Sequence, residues 1–264
     1  MSLIQAIILA IVEGLTEFLP ISSTAHMKFT NPIIGVTSTP FSDMFEIVIQ
    51  LAAILAVVVV YYKKFFDFSR INFYIKLIIA VIPALIFGAL LKKHIDSALA
   101  NLYFIAGIMI AGGIVFLFVD RWFKNPTIED EQHVSNKNAF IIGCYQVLSI
   151  LLPGLSRSAS TIIGGMSRGL TRKAAAEFSF FLAVPTMLAA SVKSFWDVHK
   201  EHADVLSKDN AVILGISSVI AFLVAVVVVR FFIDFLKKYG FKFWGYYRIL
   251  VGLVMLILLW RGIV

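Results

Sequence analysis

The residues best suited to chemistry lie in one polar stretch near the start of an otherwise apolar sequence. The stretch reads Glu13-Gly-Leu-Thr-Glu17-Phe-Leu-Pro20-Ile-Ser22-Ser23-Thr24-Ala-His26. Glu13 and Glu17 are four residues apart, so on a helix their carboxylates share one face. Two carboxylates in an apolar pocket favour either an acid–base pair or a site for Mg²⁺ or Ca²⁺.

Hydroxyls and an imidazole follow directly after a helix break in the same stretch. Pro20 lacks a backbone donor and ends the helix, and Ser23 and His26 come next, three residues apart. If the helix restarts there, the imidazole can reach the hydroxyl, and free N–H groups face an incoming anion. This geometry favours Ser23 as a nucleophile assisted by His26. Direct attack by His26 or by an activated water stays open.

A second polar stretch places an arginine inside an apolar segment, where Arg157 stands between Ser156 and Ser158. An arginine at membrane depth costs at least ~2.5 kcal/mol by insertion scales, so it needs a partner. One explanation is an internal ion pair with Glu17, Glu46 or Glu177. The other is an anion clamp, because a guanidinium with neighbouring hydroxyls suits phosphate oxygens.

The composition determines the class of protein that must position these residues. The chain has 264 residues, of which 60% are hydrophobic, and its mean hydropathy is +0.92. These values predict an all-α integral membrane protein. The net charge of +7 is explained by basic residues that flank membrane spans, and no nucleic-acid partner is implied. Cys144 lies in an apolar run and is expected to be a small buried residue.

Six apolar segments are long enough to span a bilayer, at residues 43–62, 74–91, 102–120, 175–192, 211–230 and 244–260. Residues 2–12 are apolar but too short to span. With Pro20 and the polar run behind it, this segment predicts a re-entrant helix hairpin over residues 2–30. No cleaved signal peptide is expected.

The pattern restarts in the second half of the chain. At an offset of 133 residues, Glu13 falls on Gln146, Thr16 on Ser149, Pro20 on Pro153 and Ser23 on Ser156. We therefore predict one membrane domain made of two repeats, 1–124 and 136–264, the second with its own re-entrant hairpin at 138–165. Because each repeat crosses the membrane three times, the second must be inverted relative to the first.

Basic residues set the expected orientation. One side of the predicted topology carries 14 lysines and arginines and the other carries 7, while Arg157 and Arg248 fall inside apolar segments. The richer side should be cytoplasmic. Both termini and the mouth of the active site are then expected on the outer, periplasmic side of a bacterial inner membrane.

These motifs resemble a known family, the undecaprenyl pyrophosphate phosphatases, also called bacitracin-resistance proteins. The resemblance rests on the stretch from Glu13 to His26 and on Pro153-Gly-Leu-Ser156-Arg157-Ser158-Ala-Ser-Thr161, and it spans nearly the whole chain. Alanine stands at positions 25 and 159, where the family usually has glycine. The resemblance implies an enzyme that removes the terminal phosphate of undecaprenyl pyrophosphate and so recycles the lipid carrier of peptidoglycan synthesis.

The resemblance also implies roles for individual residues. The expected catalytic residues are Glu13, Glu17, Ser23, His26 and Arg157. The expected substrate-binding residues are Ser22, Thr24, Ser156, Ser158 and Thr161. A divalent cation, Mg²⁺ or Ca²⁺, is expected at Glu13 and Glu17. The expected partners are the polyprenyl pyrophosphate substrate and membrane lipid, and a homodimer is left open.

The rival class is a transporter or flippase of a polyprenyl phosphate lipid, because inverted repeats with broken helices are typical of secondary transporters. On that hypothesis Arg157 binds a lipid phosphate and the acids relay protons. The sequence favours the enzyme, because a nucleophile, two acids and an imidazole lie within one motif. A purely structural scaffold leaves the intramembrane charge without an explanation.

Overall fold

The computed structural model describes residues 1–264 and is built from α-helices, with three short 3₁₀ turns and no β-sheet. The α-helices are α1 (Leu3–Thr16), α2 (Ser23–Ile33), α3 (Pro40–Val60), α4 (Tyr62–Phe65), α5 (Ile71–Leu90), α6 (Lys92–Ala100), α7 (Leu102–Trp122), α8 (Asn136–Leu151), α9 (Arg157–Ser167), α10 (Arg172–Glu201), α11 (Lys208–Tyr239) and α12 (Lys242–Trp260).

Six of these helices are long and apolar enough to cross a membrane: α3, α5, α7, α10, α11 and α12. They coincide with the six predicted spans, so the prediction of an all-helical, multi-pass membrane protein is confirmed. Cys144 on α8 is exposed, and its predicted burial is wrong. An apolar sequence does not distinguish a lipid-facing surface from a protein interior, because both exclude polar groups.

The spans begin at polar caps that the sequence supplies. Thr39 caps α3 by accepting a hydrogen bond from the backbone of Ser42, and Thr171 and Ser207 cap α10 and α11 in the same way. Asn101 caps α7. Such caps satisfy the first backbone N–H groups of a helix, which have no partner within the helix itself.

Helices from the first half of the chain pack against helices from the second half. The broken-helix segment α1 packs against α11, and α8 packs against α5. Helices α7 and α12 form another close pair, and α3 contacts both α10 and α11. The α7–α12 contact depends on Gly113 and Gly245, since a Cβ on either would lie 2.8 Å from the carbonyl oxygen of the other. Small residues permit this close approach of two backbones.

Two helix breaks lie where the sequence predicts them. Helix α1 ends at Thr16 and α2 begins at Ser23, while α8 ends at Leu151 and α9 begins at Arg157. The serine caps of α2 and α9 both have positive φ, 70° for Ser22 and 76° for Ser156. A non-glycine residue rarely adopts this conformation, which is costly. Ser22 and Ser156 are thus equivalent caps. The offset between the two halves is here one residue more than the 133 residues of the sequence overlay.

Candidate active site

The centre of the site is the carboxylate of Glu17, which receives hydrogen bonds from both halves of the chain. Ser23 Oγ donates to Glu17 Oε2 over 2.5 Å. The guanidinium of Arg157 donates to the other oxygen, Glu17 Oε1, and forms an ion pair with it. Arg157 Nη1 also donates to the main-chain carbonyl of Ala183, 3.4 Å away. The carboxylate therefore connects the Ser23 hydroxyl to the Arg157 guanidinium.

The helix caps bring these side chains together. Ser22 Oγ accepts from the backbone N–H of Ala25, and Ser156 Oγ accepts from that of Ala159. Ser23 and Arg157 are consequently the first residues of α2 and α9, at matching positions after the two caps. At the start of a helix, free backbone N–H groups and the helix dipole favour a bound anion.

A cavity of about 910 Å³ opens onto this centre. Its lining includes six of the residues that the sequence predicts for the site: Glu17, Ser22, Ser23, Thr24, Ser156 and Arg157. Apolar side chains such as Met44, Ile47 and Leu85 line another part of the wall. A cavity with a polar end and an apolar wall suits an amphipathic ligand.

Two predicted binding residues lie outside the cavity lining. Ser158 Oγ donates to the Leu19 carbonyl over 3.2 Å, which joins α9 to the first helix break. Thr161 Oγ1 lies 2.6 Å from Ser179 Oγ and also donates to the Arg157 carbonyl over 2.9 Å. In this conformation both hydroxyls bond to other parts of the protein.

The imidazole of His26 is held on both sides. Its Nδ1 lies 2.8 Å from the Ser22 carbonyl oxygen, and its Nε2 lies 2.9 Å from the hydroxyl of Tyr247 on α12. The two rings stack with centroids 5.7 Å apart. Both ring nitrogens therefore have partners other than Ser23. Tyr247 is not among the residues predicted for the site, and its only local signal is its place beside the intramembrane Arg248.

Glu13 is completely buried, and neither of its carboxylate oxygens has a hydrogen-bond partner. The charged groups that act on it are Glu17, Arg157 and Glu46. A buried carboxylate without a donor needs either a proton or a cation. Glu13 with Glu17 therefore fits the chemistry of a divalent-cation site. No group of three or more histidine, cysteine or acidic side chains is arranged as a metal site.

The other acids considered as partners of Arg157 are occupied elsewhere. Glu46 accepts hydrogen bonds from Asn31 Nδ2 over 2.6 Å and from Lys28 Nζ over 3.3 Å. Glu177 accepts from Lys64 Nζ over 2.7 Å. Gln146, which overlays Glu13 in the second half, accepts from Thr186 Oγ1 over 3.3 Å and leaves its buried amide nitrogen without a partner.

The fold and the site together define a class of protein, a multi-pass helical membrane protein with a phosphate-suited centre between two interrupted helices. Serine, carboxylate and guanidinium are groups that can supply attack, proton transfer and charge stabilisation in phosphoryl transfer.

Comparison with known proteins identifies the family. Residues 6–254 match the family described as bacitracin resistance protein BacA, and the chain belongs to this family. It is 46% identical to an undecaprenyl-diphosphatase of Porphyromonas gingivalis over 279 aligned residues, covering 100% of this chain and 99% of the relative. It is 48% identical to an undecaprenyl-diphosphatase of Flavobacterium johnsoniae, covering 98% and 96% of the two chains. A relative of the same description from Campylobacter jejuni is 43% identical.

Proposed function

We propose that the chain is an undecaprenyl-diphosphatase, a membrane hydrolase that converts undecaprenyl pyrophosphate to undecaprenyl phosphate and inorganic phosphate. This activity recycles the lipid carrier of peptidoglycan synthesis and confers resistance to bacitracin. Relatives over the full length of the chain carry the same description, which does not favour the transporter alternative. The observation that carries the chemical proposal is the Ser23–Glu17–Arg157 constellation.

Substrate binding uses the guanidinium and the start of the two helices. Arg157 contacts Glu17 and Ala183, and its remaining N–H groups are free to bind the pyrophosphate. Ser22, Thr24 and Ser156 line the same cavity and add hydroxyls around the phosphates. The prenyl chain follows the apolar wall of the cavity towards the lipid.

In the first chemical step, Ser23 attacks the terminal phosphorus. Glu17 Oε2 accepts the hydroxyl proton, because it already accepts the hydrogen bond from Ser23 Oγ. A bond forms between the serine oxygen and phosphorus while the bond from phosphorus to the bridging oxygen breaks. Undecaprenyl phosphate leaves, and Arg157 offsets the charge on the transferring group.

In the second step, water attacks the phosphoserine. The bond between phosphorus and the serine oxygen breaks, and Glu17 returns its proton to that oxygen. The water oxygen bonds to phosphorus, and inorganic phosphate leaves as H2PO4⁻, which carries both protons of the water. His26 and Tyr247 hold the start of α2 in place during both steps through their contacts with Ser22 and with each other.

Glu13 and Glu17 would hold a divalent cation, Mg²⁺ or Ca²⁺. Carboxylate oxygens are suitable ligands for either ion, and Mg²⁺ commonly combines one or two carboxylates with water and substrate phosphates. The unpartnered, fully buried oxygens of Glu13 support this assignment. A cation there would neutralise charge on the phosphates.

The architecture is proposed to be an inverted repeat with two re-entrant hairpins, α1–α2 and α8–α9. Three features support it: the matching serine caps, and the packing of α1 on α11 and of α8 on α5. The cavity is lined by Lys92 and Lys193, which belong to the side with fewer basic residues. Its mouth is therefore assigned to the periplasmic face of the inner membrane.

Phosphate release from undecaprenyl pyrophosphate by the purified protein in detergent tests the function. We expect steady release of one phosphate per substrate by the wild-type chain and at least a 10³-fold slower rate in Ser23→Ala, a magnitude on the order of that for loss of an activated nucleophile. Transport of the intact lipid across vesicles without phosphate release would contradict the proposal.

A further inference from the structure

Arg248 is a fully buried arginine in the middle of the apolar helix α12, and it has no role in the steps above. Its side chain is 0% exposed. Its hydrogen-bond acceptors are all main-chain carbonyls: Gly154 at 2.8 Å, Leu155 at 3.0 Å, Pro20 at 3.1 Å, Met109 at 3.3 Å and Ile108 at 3.5 Å. None of these acceptors is a carboxylate, so the guanidinium is not held as one half of an ion pair.

Three of the five acceptors belong to the two helix breaks, and the other two, Ile108 and Met109, lie on α7. Pro20 lies two residues before the strained cap Ser22. Gly154 and Leu155 lie two residues and one residue before the equally strained cap Ser156. A single planar group therefore contacts the two breaks at matching positions, although their sequences are more than a hundred residues apart.

Broken helices expose carbonyls that have no helical donor, and a buried carbonyl without a donor is costly. A guanidinium has five N–H groups in a rigid plane, which can serve several carbonyls at once in a fixed orientation. The ring of Phe116 lies over the guanidinium with its centroid 5.0 Å away. Gly112 leaves space for the group, because a Cβ there would collide with Arg248 Nη2.

We propose that Arg248 is a positioning residue that fixes the two helix breaks relative to each other. It sets the separation between Ser23, the first residue of α2, and Arg157, the first residue of α9. It does not touch the substrate. This inference rests on the proposed hydrolase function, since a displacement of about 1 Å between attacking and binding groups can cost ~10²-fold in rate.

Arg248→Lys tests the inference, because lysine keeps the charge but lacks the planar set of donors. Phosphate release from undecaprenyl pyrophosphate gives kcat and KM, and thermal unfolding in detergent shows that the protein is folded. We expect kcat to fall by about 30-fold or more while KM changes by less than about 3-fold, the pattern of a lost alignment rather than a lost binding contact.

Arg70→Lys is the control for loss of a buried guanidinium away from the helix breaks. Arg70 is also buried, donates to the main-chain carbonyl of Lys64 and lies 4.8 Å from the ring centroid of Phe73, and unlike Arg248 it also pairs with a carboxylate, that of Glu131. Arg70 lies outside the lining of the active-site cavity, so the kcat of the Arg70→Lys variant should stay within about 2-fold of wild type. A kcat loss in Arg248→Lys no larger than in the control would overturn the inference. A raised KM with an unchanged kcat would also overturn it, because Arg248 would then bind substrate.

Phe116→Leu gives a second test if the lysine variant does not fold. It keeps Arg248 and removes the ring beside its guanidinium. We expect kcat to fall by about 3- to 10-fold at constant KM, because the guanidinium is less firmly held. A wild-type kcat in folded Phe116→Leu would count against the inference. Wild-type protein that releases no phosphate would instead refute the proposed function, so the two failures are distinguishable.

Discussion

The hydroxyl of Ser23 donates to Oε2 of Glu17 over 2.5 Å, and this hydrogen bond joins the proposed nucleophile to its proposed base within one helix break. The second oxygen of the same carboxylate accepts from Arg157. The same carboxylate is therefore placed both to accept the serine proton and to hold the Arg157 guanidinium beside the cavity. Glu17 contacts both Ser23 and Arg157, whereas the carboxylate oxygens of Glu13 have no hydrogen-bond partner. The same substitution should therefore affect the activity differently at Glu17 and at Glu13.

Glu17→Gln should be much more damaging than Glu13→Gln. The amide that replaces the Glu17 carboxylate cannot accept the serine proton, so kcat should fall by about 10³-fold, within the range for a lost general base. Glu13→Gln should cost about 10-fold, because the second half of the chain has Gln146 at the matching position and Glu13 does not contact Ser23. Phosphate release at saturating substrate measures both values. Equal losses would remove the assignment of the base to Glu17.

Arg157→Lys should lose activity in a protein that still folds. Lysine keeps one charge, but it cannot bind Glu17, the Ala183 carbonyl and a phosphate from one rigid plane. We expect kcat/KM to fall by about 10²-fold or more, with a thermal unfolding temperature close to wild type. Near-normal kcat/KM would mean that the anion binds elsewhere and that Arg157 serves only the ion pair.

His26 and Tyr247 should act as one unit. Tyr247→Phe removes the hydroxyl that lies 2.9 Å from His26 Nε2, and we expect a kcat loss of no more than about 10-fold. His26→Gln should cost less than Glu17→Gln, and the double variant of His26 and Tyr247 should lose less than the product of the two single losses. Tyr246→Phe, at the exposed neighbouring position, is the control. If His26→Gln is as inactive as Glu17→Gln, the histidine takes part in the chemistry directly.

Glu131 lies outside the lining of the cavity, and its carboxyl should make the stability of the folded protein depend on pH. Burial alone would raise the pKa of this carboxyl, but hydrogen bonding to Glu177 and Arg70 and the charge of Lys64 outweigh burial and lower the pKa to about 2. Arg70 Nη2 lies 2.7 Å and Lys64 Nζ 3.1 Å from Glu131 Oε1. A depressed folded-state pKa contributes stability above the ordinary value of 4.5, and that stability is lost as the pH falls towards 2.

Glu131→Gln should therefore destabilise the protein by on the order of 3 kcal/mol at neutral pH, as expected for breaking a buried charge cluster. The difference from wild type should stay constant above about pH 5 and shrink as the pH falls towards 2. Thermal unfolding in detergent across this range measures it. Glu129→Gln, at an exposed position of the same loop, is the control. A difference that grows as the pH falls would contradict the assigned direction of the pKa shift.

Local sequence patterns predict much of this molecule. Apolar runs of sufficient length predict the six spans, and Pro20 and Pro153 indicate the two breaks, because both signals act within a few residues. The same patterns single out Glu17, Ser23 and Arg157. Cys144 illustrates the limit of composition, since it is exposed on α8 although the nearby apolar residues Ile142 and Val147 are buried.

Local patterns do not decide which distant segments meet, and Glu17 is only one of three acids that the sequence offers as partners of Arg157. Glu17 meets Arg157, and His26 meets Tyr247 on the last span, only because the helices pack as they do. The spacing of Ser23 and His26 indicates a shared face, but the tertiary structure provides nearer partners for the imidazole. Arg248 is visible in the sequence as an intramembrane charge, yet folding is what brings its carbonyl acceptors, at the two helix breaks and on α7, together around it.

Trapping the phosphorylated enzyme tests the central claim, attack by Ser23, most directly. A single turnover with substrate labelled in its terminal phosphate is quenched in acid in one half of the sample and in alkali in the other. The label is then mapped on the chain. We predict acid-stable label on Ser23, because a phosphoserine survives acid, and no label in Ser23→Ala. Label on His26 that survives alkali and is lost in acid would contradict the account, as would turnover by Ser23→Ala at the wild-type rate without any trapped label.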